Sequence, residues 1–438
     1  MKKTLLAIPS LALLLLAAHS LRQGDFGLTS AFVLLAGLMF TRQAWVRLVS
    51  IAALVWGGYL WADATVDFIS FRQALGMPWQ RLAFIMGGVI LFDALALAVL
   101  AGETCRRLFD RSREQAFVRA AIAVLTVFGL ALARSKVSFA ILLIDRFFPG
   151  WGWLEIAMLA FYAQWIGGIM VSPKGHRVNR PRIWGLFSFV FFLQLALGLL
   201  GFDRMLMTGT LHLPVPALIA AGPVFRGEGF FMIILFSVTL LLVGSAWCSH
   251  LCYIGAWDDA MSRMGGRPVP NVKIRRWSIL GRSAMLILVV SMALLLRYAG
   301  ASGLFAVMLA AIFGLLGVGL MVFVSRKVGM MIHCTTFCPM GILANIFGRI
   351  SPWRIRVKKD CTQCGACFSV CRYNALDENQ VVSGKPALSC TLCGDCVSAC
   401  SHGQIGYSFP GLSGDAARSL FIVLIVSLHA IFLGVARI

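Results

Sequence analysis

Long apolar stretches alternate with short polar segments along almost the whole chain. Stretches long enough to cross a bilayer, or nearly so, lie at about 4–20, 27–41, 45–62, 82–102, 117–133, 152–171, 183–201, 229–247, 278–297, 302–325 and 418–436. A helix of about 20 apolar residues spans the hydrocarbon core. The pattern therefore predicts a polytopic α-helical membrane protein with about 11 transmembrane helices. Residues 354–410 interrupt it and read as a small α+β domain. The expected divisions are a six-helix membrane domain over 1–172, a four-helix core over 173–353, the small domain over 354–410 and a last transmembrane helix within 411–438. Among the connections, 66–76 reads as an amphipathic surface helix and 138–148 as an interfacial or re-entrant piece. Pro214, Pro216 and Pro223 argue against a regular span over 203–228.

Composition agrees with this reading. The chain is 59% hydrophobic and 13% charged, too apolar for a soluble globule. Its net charge of +21 suggests nucleic acid, but the basic residues sit in short loops between apolar spans, so no nucleic-acid partner is expected. Loops on the cytoplasmic side of a bilayer carry the Lys/Arg excess. One alternate set of loops carries Arg42 and Arg47; Arg106, Arg107, Arg111, Arg113 and Arg119; Lys174, Arg177, Arg180 and Arg182; and Arg263, Arg267, Lys273, Arg275 and Arg276. The opposite set is poorer. The expected location is the bacterial cytoplasmic (inner) membrane, with the N-terminus and the 354–410 domain cytoplasmic and the C-terminus external. Lys2 and Lys3 followed by Leu5 to Ala18 resemble a secretory signal peptide and are read as the first membrane helix.

Eight of the thirteen cysteines carry the chemistry of the small domain. They form two copies of one run, Cys361-x2-Cys364-x2-Cys367-x3-Cys371 and Cys390-x2-Cys393-x2-Cys396-x3-Cys400. This is the bacterial ferredoxin spacing for two 4Fe–4S clusters, in which each fourth Cys serves the other cluster. One cluster then takes Cys361, Cys364, Cys367 and Cys400, and the other Cys390, Cys393, Cys396 and Cys371. A single CxxC would suit zinc; eight cysteines at these spacings do not arise by coincidence. The Pro that usually follows each fourth Cys is Arg372 in one copy and Ser401 in the other.

Two further pairs lie outside these runs: Cys248 with Cys252, and Cys334 with Cys338. A spacing of i, i+4 places two thiols on one helix face. Two crossings separate the pairs, so both are expected at one membrane edge. Four thiols at one depth make a metal site suited to iron, an iron–sulfur cluster or zinc; the alternative is that they are small buried hydrophobes. His250 and His333 flank the thiols and are candidate ligands or hydrogen-bonding neighbours. Pro339 is expected to start or stop a helix and turn backbone N–H groups toward the sulfurs. Asp93, inside an apolar span, is the candidate catalytic carboxylate for proton uptake. Glu155 is a weaker case, and Cys105 reads as structural.

Apolar spans, a CxxxC pair, a helical hairpin, a CxxxCP pair and a double-cluster ferredoxin resemble the NapH/NosR/CcoG-type membrane polyferredoxin superfamily. The likeness covers about residues 184–408. It implies a membrane-bound electron conduit that exchanges single electrons with the quinone pool, as an electron-transfer subunit of a quinol-dehydrogenase-like oxidoreductase. Expected partners are other subunits of a respiratory or redox complex and membrane lipid. Expected cofactors are two 4Fe–4S clusters, a third iron or iron–sulfur site and quinone. Two alternatives stay open: a copper or iron reductase that serves assembly of a respiratory enzyme, and an iron–sulfur redox sensor. Tyr253 stands where the family often has Pro, and the six helices before the core and the one after the ferredoxin are additional.

Overall fold

The computed structural model describes residues 6–41, 43–102, 104–105, 109, 113–206 and 213–435. Lys2, Lys3, Arg42, Arg106, Arg107, Arg111 and both termini, on which part of the charge reading rests, lie outside the described residues. The chain packs as two compact units, Met1–Ala120 and Ala121–Ile438.

Among the described residues, nine helices are long and apolar enough to cross a membrane, which is compatible with a multi-pass protein. The two stretches at 4–41 are not among them. They form helices of 16 residues (Ala7–Arg22) and 13 residues (Phe26–Leu38). At 1.5 Å per residue these reach about 24 and 20 Å, short of a 30 Å core. The break between them has a local cause. Gly24 takes φ +81°, and the Asp25 side chain accepts the Leu28 amide at 2.9 Å to cap the second helix. The expected surface helix at 66–76 also differs. It continues the preceding span as one helix, Ala44–Ala74, because no Gly or Pro interrupts 66–74.

In the second unit the helices that matter for the site are Pro173–Leu199, Phe231–Val243, Tyr253–Met264, Val272–Tyr298, Pro339–Phe347 and Gly414–Val435. The ferredoxin-like segment is closed at its base by two strands. β1 (Arg354–Val357) pairs antiparallel with β2 (Ile405–Ser408), with Ile355 opposite Tyr407 and Val357 opposite Ile405. Those four side chains are buried, as period-2 alternation on a half-buried ribbon requires.

Polar contacts tie the segment to the Val272–Tyr298 helix. Asn271 and Asn374 exchange side-chain–backbone hydrogen bonds at 3.1 and 2.7 Å. Arg275 lies 2.7 Å from Asp377, whose other oxygen caps the Glu378–Val382 helix through the Gln380 amide. Burial works against the Asp377 charge, but the Gln380 amide and the Arg275 guanidinium outweigh it and hold the carboxyl below its usual range. A depressed folded-state pKa means stability that is present above about pH 4 and lost as pH falls through the folded value. Asp377→Ala is expected to cost about 1 kcal/mol at neutral pH, as lost caps do. In thermal melts the gap between parent and variant should close as pH drops below about 4; a gap constant with pH would show that the charge contributes nothing.

Candidate iron–sulfur sites

The two ferredoxin runs fold alike. Gln363 and Leu392, each two residues after the first Cys of its run, take φ +54° and +56°. Gly365 and Gly394 both take φ +78°. Left-handed backbone at a non-glycine residue is uncommon, and its repetition shows two loops bent for the same purpose: turning successive amides inward around an anion. At Gly394 a side chain would meet the Tyr407 hydroxyl at 2.5 Å and the His176 ring at 2.9 Å, so the loop is also pressed against the helices. The fourth cysteines match as well. Cys371 Sγ accepts the Ala375 amide and Cys400 Sγ the Gln404 amide, both at 3.3 Å.

The structure brings Cys371 to the second run. Burial pushes the Cys371, Cys390 and Cys393 thiols up to about 12, with neighbouring thiols adding to the rise. Cys396 is raised further by burial and by Cys393, Cys390 and Cys371. Thiols this reluctant to ionise become thiolates only against compensating positive charge, which cluster iron supplies. In the first run, burial raises Cys367, and Cys361 and Cys364 add to the rise. Cys364 is exposed and Cys361 partly so, which leaves these three thiols more open than those of the second run.

Cys248, Cys252, Cys334 and Cys338 also converge. Burial raises the Cys334 thiol well above its usual value, and the charges of Asp258, Cys338, Cys252 and Cys248 act in the same direction. The geometry differs from two thiols on one helix face. The chain leaves the helix between the cysteines of each pair. Cys252 and Cys338 take extended backbone, with ψ 113° and 117°, and stand at the N-cap of Tyr253–Met264 and of Pro339–Phe347. The first amides of each new helix face the sulfur: Gly255 and Ile254 counter the rise of Cys252, which reaches about 12, and Gly341 and Met340 counter that of Cys338. Pro339 at the first helical position is preorganised for this start. Two helix N-termini thus present partial positive charge to one four-thiol site.

Among the described residues no group of three or more His, Cys, Asp or Glu side chains forms a site for a single metal ion. Four thiols in each quartet match the ligand count of a 4Fe–4S cluster. Buried polar atoms without partners adjoin them: Asp258 Oδ1, both ring nitrogens of His333, and the hydroxyls of Tyr373, Ser389 and Thr391. Such orphans are rare in native structures and call for a partner.

Charge points the same way. Arg282, in the Val272–Tyr298 helix, is 2% exposed and acted on by Cys248, Cys338 and Cys334. Its Nε donates to Ser278 O and its Nη2 to Ser278 Oγ. Among the described residues no carboxylate pairs with it. Arg180, fully buried, reaches Asp395 at 3.0 Å and Asp259 at 3.2 Å and donates to Ser249 O at 3.1 Å. Arg263 completes the set, at 2.6 Å from Asp259 and 2.9 Å from Asp395. Asp395 lies between Cys393 and Cys396, so this network clamps the inner ferredoxin loop to the helices.

Sequence reasoning placed Arg180 in a solvated basic loop and passed over Arg282. The signal for Arg282 was present, as a charge inside an apolar span; Arg180 has partners 79 and 215 positions away, which no local pattern reveals. Arg372, standing where ferredoxins carry Pro, donates to Ser262 O and Gly329 O at 2.5 and 2.7 Å.

The other candidates fare unevenly. His250 is not free to ligate: Nε2 lies 3.3 Å from His176 Nε2, and Nδ1 lies 2.9 Å from Ser249 Oγ and 3.3 Å from Ala246 O. His333 remains beside Cys338, at a cavity of about 20 Å³ shared with Phe313, Val318 and Met321. Asp93 is buried in the Gln80–Ala101 helix with Oδ1 unpartnered. Glu155 accepts the Ile144 amide at 2.8 Å, which fits a structural role. Cys105 is buried.

A family model described as Fer4_5, 4Fe-4S binding domain, matches residues 227–271 and 310–358. Those segments bracket Cys248 and Cys252, then Cys334 and Cys338, and end before Cys361. Comparison with curated proteins and with solved structures finds no match. With the clustered cysteines, the match supports an iron–sulfur protein of ferredoxin type, and its 4Fe–4S domain suggests an electron-transfer role.

Proposed function

We propose that the chain is a membrane-bound electron relay with three iron–sulfur centres. Cys361, Cys364, Cys367 and Cys400 hold the outer one. Cys371, Cys390, Cys393 and Cys396 hold the inner one, and Cys248, Cys252, Cys334 and Cys338 the one at the membrane edge. Iron–sulfur clusters accept and release one electron at a time. The protein's part is to bury the inner and membrane-edge thiolates, turn amides toward them and join the two sets. The observation that carries the reading is one apolar cluster. Trp184, Ala256, Met331, Tyr373 and Ala375 pack together, and Cys334 of one set and Cys371, Cys390 and Cys393 of the other pack against them. Thiols of two quartets so share a single packed contact. In this reading the ferredoxin segment faces the cytoplasm, quinone is the membrane reactant and a respiratory enzyme the partner.

Anaerobic iron analysis tests it. The parent should hold more than the about eight irons of two cubanes. A Cys248→Ala, Cys334→Ala double variant should retain about eight, keep both ferredoxin signals in electron paramagnetic resonance (EPR) and lose electron transfer to quinone. Equal iron and equal activity in parent and variant would sink the third centre. Copper bound stoichiometrically at these thiols in place of iron would favour the metal-reductase alternative.

A further inference from the structure

Resting on that reading, we propose that Tyr373 joins the two inner centres: its hydroxyl, carried by the ferredoxin segment, donates a hydrogen bond to the iron–sulfur centre of the membrane-edge thiols and raises that centre's potential.

Tyr373 follows Cys371 by two residues, yet its side chain leaves the ferredoxin. It is 4% exposed and packs with Trp184 and Met331. Its hydroxyl is the one part of the side chain that apolar packing cannot satisfy, and it has no hydrogen-bond partner. A buried hydroxyl left unpaired is costly, so a protein that keeps one there supplies an acceptor. The groups whose charges act on it are Cys334 foremost, then Arg180, Cys393 and Asp259. Cys334 belongs to the membrane-edge thiols and Cys393 to the inner ferredoxin run.

The neighbourhood discriminates between the two. The inner thiols have ordinary donors in the amides of Ala375 and Leu392. The amide of Cys334 is itself spent on Asp258 Oδ2 at 2.9 Å. Arg180 cannot accept a hydrogen bond, and its donors are committed to Asp395, Asp259 and Ser249 O. Asp259 is engaged by Arg180 and Arg263. Both sulfurs pack against the cluster that holds Tyr373, and of the two Cys334 acts on the hydroxyl more strongly, so the membrane-edge side is assigned as the acceptor. A hydrogen bond to cluster sulfur stabilises the reduced, more negative form and so raises the potential. The effect would favour electron movement from the inner ferredoxin centre to the membrane edge.

Tyr373→Phe removes the hydroxyl and keeps the ring and its packing. The whole protein, purified anaerobically, is titrated redox-potentiometrically with EPR detection, and iron is counted. The expected result is unchanged iron and an about tenfold fall in the reduced-to-oxidised ratio of the membrane-edge centre at fixed potential. That corresponds to about 59 mV downward for one electron. Deuterium exchange should also remove one proton coupling from that centre's spectrum in the parent, and this coupling should be missing from Tyr373→Phe. An unshifted membrane-edge centre with intact iron overturns the proposal. A shift confined to the inner ferredoxin centre overturns the assignment of the acceptor. Absence of a third centre in the parent is a different failure, that of the relay reading itself, and is seen before any variant is made.

Discussion

Arg282→Leu should empty the membrane-edge site while leaving both ferredoxin centres in place. The argument begins with what a buried guanidinium needs. An uncompensated charge in a low-dielectric interior is too costly to persist. Arg282 is 2% exposed, and its hydrogen bonds go to Ser278, a neutral residue. Three thiols stand beside it. Neutral thiols would leave the arginine without a counter-charge; four thiolates around iron supply one. The dependence is mutual, because Cys252 and its neighbours resist ionisation in this setting. Breaking a buried charge pair by removing one partner costs about 3–5 kcal/mol, on the order of a hundred- to several-thousand-fold in binding. Iron above the ferredoxin complement should therefore be lost on purification. Arg282→Lys keeps the charge but not the planar fork, so it should hold the centre at reduced occupancy. Full iron and an unaltered third signal in Arg282→Leu would show that the arginine finds its compensation elsewhere.

What could be read in the sequence follows from the range of each interaction. Cluster ligation by a ferredoxin run is local, so eight cysteines at fixed spacing announce it. Apolar windows announce spanning helices for the same reason, since a helix is a local object. The failures have local and non-local causes. At 4–41 a window average missed one Gly–Asp step at Gly24 and Asp25, which ends one helix and caps the next. At the CxxxC pairs the assumption of continuous helix was wrong, because Cys252 and Cys338 are caps; Pro339 was the visible hint, and Tyr253 gave none. Arg282 was hidden by the apolar residues averaged with it. Arg180, His176 and Asp395 were beyond reach altogether, since their meaning lies in pairing across the fold.

That pairing gives the other large effect. Arg180→Met should loosen the inner ferredoxin loop from the helices. Arg180 is fully buried and bridges Asp395 of the loop, Asp259 of the Tyr253–Met264 helix and Ser249 O beside Cys248. Methionine fills much of the volume but leaves two buried carboxylates facing the single cation of Arg263, which is 29% exposed. Buried pairs of this kind cost about 3–5 kcal/mol to break, chiefly through the charge left behind. Hydrogen exchange at residues 390–400 should accelerate, and the first thermal transition should fall by roughly 5–10 °C. Little of the effect should depend on salt, since screening acts weakly on buried charges. A second substitution separates charge from packing. If the stranded carboxylates are the cause, adding Asp259→Asn to Arg180→Met should recover part of the loss, a positive coupling between the two sites. If the cause is instead a hole where the guanidinium packed at 5.3 Å over Trp184, the second change will add to the damage. Unchanged exchange in Arg180→Met would mean that the strands and the Asn271–Asn374 and Arg275–Asp377 contacts hold the segment without the clamp.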